Sequence, residues 1–145
     1  MLFAIHDKDT GQITQANKVF VEDFESYAKL LGDLGHTFVQ ENRDALLPPE
    51  RWFVDVKAGA LCERPMMQAE AQSGVVRVGT PAVILNIPKG SGIDVLAAGE
   101  TIWSIAALDG DELQFPMPDY PCKYRVVIRK WPYRDRVIDI EGVKA

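Results

Sequence analysis

The chain has 145 residues, 47% of them hydrophobic and 26% charged, the composition of a globular protein rather than a disordered one. That length holds one ordinary domain or two very small ones. The formal net charge of −5 argues against nucleic acid as a default partner. No apolar run nears the roughly 18 residues that a transmembrane helix needs. The start, Met1-Leu2-Phe3-Ala4-Ile5-His6-Asp7, carries neither the basic nor the long apolar stretch of a signal peptide. The expectation is a protein with no nucleic-acid or membrane partner, kept in the cytoplasm unless a larger particle carries it out.

Residues 2–6 are apolar and β-prone, Asp7-Lys8-Asp9-Thr10-Gly11 is a turn cluster, and Gln12 to Val21 reads as a second strand. Asp and Gly suit a tight reversal through side-chain-to-backbone bonds and a positive φ, so the chain opens on a β-hairpin. Asp23 is placed as a helix N-cap. Phe24, Tyr27, Leu31 and Leu34 recur at intervals of three and four, which predicts an amphipathic helix over about 23–34, with Gly35 as its C-terminal stop. A short strand follows at His36 to Gln40, then a surface loop ending in Leu46-Leu47-Pro48-Pro49-Glu50. Strands at 52–56 and 61–64 flank the turn Lys57-Ala58-Gly59-Ala60, and Pro65 ends the second. The first unit, 1–68, is therefore expected as ββαβββ, and residues 66–74 as a linker.

From 75 to 145 every segment reads as strand, with strands at 75–78, 81–87, 93–96, 101–108, 112–117, 123–131 and 136–143. Glycine- and proline-rich turns separate them, among them Pro88-Lys89-Gly90-Ser91-Gly92, Asp109-Gly110-Asp111 and Pro118-Asp119-Tyr120-Pro121. Short strands at regular spacing predict a sandwich or small barrel. The fold class is α+β, a small N-terminal unit followed by an all-β sandwich.

Catalytic signatures are thin. No GxSxG surrounds Ser26, Ser73, Ser91 or Ser104. The glycines of 89–92 lack the order that lets backbone amides cradle a phosphate. Asp7-x-Asp9-x-Gly11 and Asp109-x-Asp111-Glu112 offer oxygen ligands but do not continue as a calcium loop, and bare turns require the same residues. His6, His36, Cys62 and Cys122 lack the spacing of a zinc site, and without a secretory signal the two cysteines are expected as buried or inert thiols rather than a disulfide. The expectation is a non-enzymatic protein without a cofactor or metal.

The residues that stand out are basic and aromatic. Lys123, Arg125, Arg129, Lys130, Arg134 and Arg136 face only Asp135 in their segment. On the strand 123–131, Tyr124, Val126 and Ile128 alternate with Arg125, Val127, Arg129 and Trp131, and Pro132-Tyr133-Arg134 follows. Arginine with Trp and Tyr is the composition of interface hot spots, so Arg125, Arg129, Trp131, Tyr133 and Arg134 are the candidate partner-binding residues. The same set also suits a sugar platform, or merely a solvated strand face with a tryptophan packed under arginine stems.

Three segments carry a resemblance: the opening hairpin with its Gly turn, the stretch from Leu46-Leu47-Pro48-Pro49-Glu50-Arg51-Trp52-Phe53-Val54-Asp55 to Leu61-Cys62-Glu63-Arg64-Pro65, and Tyr120-Pro121-x-Lys123-Tyr124-Arg125-Val126 through Trp131-Pro132-Tyr133-Arg134-Asp135. They resemble small structural proteins of the tail region of tailed bacteriophages and prophages, the last of them the closing strands of Ig-like modules. The resemblance implies a virion component near the tail tip, baseplate or tail fibres. Its partners would be other phage tail proteins in a symmetric assembly. A carbohydrate- or receptor-binding module and a tail-fibre assembly chaperone are the alternative readings.

Overall fold

A computed structural model describes residues 1–43, 48–117 and 121–144. Leu46 and Leu47 of the expected surface loop, and Pro118-Asp119-Tyr120 of the expected turn, lie outside them. Among the described residues the protein is mostly β-sheet, with one short α-helix and several sheets. It divides into two units, Met1–Arg64 and Pro65–Ala145.

The first unit is built around β1 (Leu2–His6), every residue of which is buried. It is the middle strand of a sheet ordered β2-β1-β3, with β2 at Ile13–Lys18 and β3 at Phe38–Glu41. An unbroken apolar run is what a strand covered on both faces requires. Phe3 and Ile5 turn to one side and pack with Phe24, Tyr27 and Leu31 of α1 (Phe24–Asp33). Phe3 meets Tyr27 edge-on, with ring centroids 4.8 Å apart. Leu2 and Ala4 turn to the other side, where Val54 and Leu61 cover them. These two belong to the antiparallel hairpin of β4 (Trp52–Asp55) and β5 (Ala60–Glu63).

The expected second strand is cut short. It ends at Lys18, and the chain passes through a 3-10 turn at Val21–Asp23 before α1. Asp23 precedes the helix but makes no side-chain capping bond, because the 3-10 turn already leads the backbone in. At the other end Gly35 has φ +78°. Its N–H donates to the Gly32 carbonyl and that of His36 to the Leu31 carbonyl, each at 3.0 Å. That pair of bonds is the Schellman arrangement, and glycine occupies its left-handed position at no steric cost.

The second unit holds two sheets over one core. The larger is ordered β10-β9-β12-β13-β7, with β7 at Val75–Arg77, β9 at Gly92–Ala97, β10 at Glu100–Ile105, β12 at Cys122–Arg129 and β13 at Arg136–Val143. The smaller is ordered β11-β8-β6, with β6 at Glu70–Ala71, β8 at Pro81–Leu85 and β11 at Leu113–Pro116. Alternation aims Ile84 and Phe115 of the smaller sheet at Val95, Val126, Ile128 and Ile140 of the larger, in one shared cluster. All neighbours in the larger sheet are antiparallel except β13 and β7, which run parallel.

Residues 66–74 are not a linker. Met67 and Ala69 are 5% and 2% exposed and belong to the core of the second unit, and β6 pairs with β8. The expected strand 101–108 ends at Ile105. Leu108 instead turns inward, its N–H donating to the Ser91 carbonyl at 2.8 Å. The expected strand 123–131 ends at Arg129, which leaves Trp131 in the turn beyond it.

Candidate functional site

Strand β12 presents Tyr124, Val126 and Ile128 to the core and Arg125 and Arg129 to the opposite face. On that face the arginines meet carboxylates from neighbouring strands. Arg125 stands directly across from Asp139 on β13, and its Nε donates to Oδ1 at 3.0 Å. Arg129 donates to Asp94 of β9 at 2.7 Å and lies 3.6 Å from Asp135. Asp94 also accepts a 2.6 Å bond from Ser104, its direct neighbour on β10. The Ser104 hydroxyl, followed by the Arg129 guanidinium, holds the Asp94 carboxyl below its ordinary value. Arg125 does the same for Asp139.

Two arginines of the basic segment, Arg125 and Arg129, are therefore held in cross-strand ion pairs. The partners were hidden because they come from elsewhere in the chain, Asp139 from 14 residues away and Asp94 from 35. Arg136, next along the chain, donates its Nε to the Ala69 carbonyl at 3.2 Å. A shallow hollow of about 500 Å³ lies beside the Arg125–Asp139 pair.

The other candidates sit in the turn after β12. Trp131, Tyr133 and Arg134 are each half-buried. Tyr133 packs against the core of the second unit, and the Arg134 N–H donates to the Pro65 carbonyl at 2.9 Å.

A second hollow, of about 490 Å³, opens between β10 and β11, each an outermost strand of its sheet. Trp103, Phe115, Met117 and Tyr124 line it with Val95 and Ile102. Trp103 pairs with Val95 and so points to the core face, where its ring centroid lies 6.3 Å from that of Phe115. The ladder slips between Thr101 and Trp103. This bulge leaves Ile102 without an opposite residue and 56% exposed, and Trp103 remains 40% exposed. Neither residue stood out in the sequence, because alternation shows which residues share a face but not which strand is outermost. Their one sequence signal is the rarity of adjacent large apolar residues on an alternating strand.

Elsewhere, Asp7 serves its turn. Its Oδ1 accepts the N–H groups of Asp9 and Thr10 at 2.9 Å each, and these bonds, Thr10 first, lower its pKa. His6 is buried and its Nδ1 lies 2.7 Å from the Asp7 carbonyl, an accepting group that makes this nitrogen the donor. Cys62 and Cys122 are free thiols, each only partly buried rather than enclosed as expected. Among the described residues, no three His, Cys, Asp or Glu side chains converge as metal ligands, and no helix is long and apolar enough to cross a membrane.

No protein-family model matches the chain, and no curated protein matches it in sequence.

Proposed function

We propose that this protein works by contact rather than catalysis, as a structural component of a phage tail. In this reading it resides in the virion near the tail tip, baseplate or tail fibres and binds other tail proteins. One observation supports the contact role above others. Ile102 and Trp103 stand exposed on an outermost strand beside an apolar hollow, and apolar surface of this kind marks interaction sites. The tail assignment rests on the sequence resemblance. The finer architecture, an N-terminal ββαβββ unit before an Ig-like sandwich, is part of the same reading. The element order and the two sheets around one core support it.

Two measurements test the proposal. Mass spectrometry of purified virions from the phage or prophage that encodes the chain is expected to find it in the tail fraction. The purified protein is expected to capture a tail protein from phage lysate, and Ile102→Lys to abolish capture. A chain present only in lysate with fibre proteins would assign the chaperone role instead. A chain that captures no tail protein would overturn the contact reading.

A further inference from the structure

Among the described residues the second unit has four sheet edges, and three are blunted. Strand β6 has two residues, β7 has three and carries Arg77, and β11 ends at Pro116. Short strands, charged side chains, proline and bulges are the ordinary devices that discourage pairing with another chain. Strand β10 has six residues, Glu-Thr-Ile-Trp-Ser-Ile, with neither lysine nor proline. Its bulge at Ile102 lies in the ladder with β9 and is a weaker guard than the short length of β6 and β7 or the proline of β11. Among the described residues it pairs with β9 alone. Backbone N–H and C=O groups along its other edge are the complement of an extended chain. The apolar hollow lies beside that edge, where alternate side chains of an added strand would fall.

Charge narrows the identity of that strand. No lysine or arginine occurs from Gly90 to Cys122, the stretch that supplies β9, β10 and β11. The same stretch has Glu100 at the start of β10, Asp109 and Asp111 in the loop leading to β11, and Glu112 next to its first residue, all exposed. Lys123 and Arg125 flank Tyr124 but alternate onto the other face of the sheet. A second copy of this chain would bring one acidic rim against another. An extended segment alternating apolar with basic residues would fill the hollow and neutralise the rim.

We propose that the free edge of β10 accepts such a segment from a partner protein as a sixth strand of the larger sheet. This rests on the contact reading above and names the chemistry that the contact selects.

The test titrates the full-length protein with two peptides of about eight residues, one alternating Val or Leu with Lys and the other carrying Glu in place of Lys. The Lys peptide is expected to bind saturably and more weakly as salt rises. It is also expected to protect the amides of 100–105 from hydrogen exchange. Ile102→Lys, at an exposed position that tolerates the change, is expected to weaken binding about tenfold or more, as loss of a central anchor does. Trp103→Ala should act alike, with circular dichroism confirming that both variants are folded. Equal binding of the Glu peptide, unchanged binding by folded Ile102→Lys, or self-association through β10 in sedimentation would each overturn the inference. Capture of a tail protein that Ile102→Lys abolishes, without Lys-peptide binding or protection of β10, would overturn strand addition alone. Loss of both capture and peptide binding in the unaltered protein would overturn the contact reading with it.

Discussion

The N–H of Val54 donates to the carbonyl of Gly11 at 2.8 Å, and the Val54 carbonyl oxygen lies 1.8 Å from where a Cβ on residue 11 would stand. The opening hairpin turn and β4 thus approach so closely that only glycine fits between them. Gly11 also has φ +78°, as does Gly35, which has open space around its Cβ position. Ala at Gly35 is expected to cost about 1–3 kcal/mol, the left-handed backbone strain alone. Ala at Gly11 adds a clash with the Val54 backbone to that same strain, so it is expected to unfold the first unit at a clearly lower denaturant concentration. Equal urea midpoints for the two variants would contradict the close approach.

Met67 supplies a test of where the second unit begins. At 5% exposure within the core, its replacement by Ala is expected to cost about 2–5 kcal/mol. A linker methionine would cost almost nothing. Gln68→Ala, whose side chain is exposed, is the matched control, and the comparison is made by thermal or urea unfolding.

Acid should weaken the outer face of the larger sheet. The folded pKa of Asp94 is depressed by Ser104 and Arg129. Its contribution to stability is therefore complete above the ordinary value of 3.8 and is lost as the pH falls through the lower folded value. Urea midpoints measured from about pH 5 down to about pH 2 should fall less steeply for Asp94→Asn than for the parent, with Asp139→Asn behaving likewise. Identical slopes would show that these exposed pairs are screened to insignificance.

Tyr133 and Arg125 separate packing from surface charge. Tyr133→Ala, which removes a ring packed against the core, is expected to lower the unfolding midpoint, by about 1–3 kcal/mol in stability. Arg125→Ala removes one half of an exposed pair and is expected to leave the midpoint close to that of the parent at neutral pH. A reversed order would assign Tyr133 to the surface of the turn after β12 rather than to the core.

Sequence patterns carried the local elements well. Spacing at three and four located α1 within a residue at each end, since one helix face packs on Phe3 and Ile5. The alternation Met67-Gln68-Ala69-Glu70-Ala71-Gln72 was a legible strand signal that its polar, alanine-rich composition masked. The ion pairs of Arg125 and Arg129 were not legible, since they depend on which strands become neighbours. The same is true of the exposed Ile102 and Trp103. Whether a strand is central or outermost follows from sheet order, and sheet order is a long-range property.

The parallel pairing of β13 with β7 has a consequence for how the chain acquires its structure during synthesis. Strand β13 sits between β12 and β7 and pairs with both, joining Val75–Arg77 to Glu141–Val143 across more than sixty intervening residues. Every element of the first unit lies before residue 65, so that unit has its whole sequence while the second is still being translated. The second unit cannot close its larger sheet until residues 136–143 have left the ribosome. Until then Ile84, Phe115 and Val126 lack the cover of Ile138 and Ile140. Contacts so distant in sequence form slowly, and the nascent chain spends that interval with a half-built apolar core, the period in which a holding chaperone would matter most.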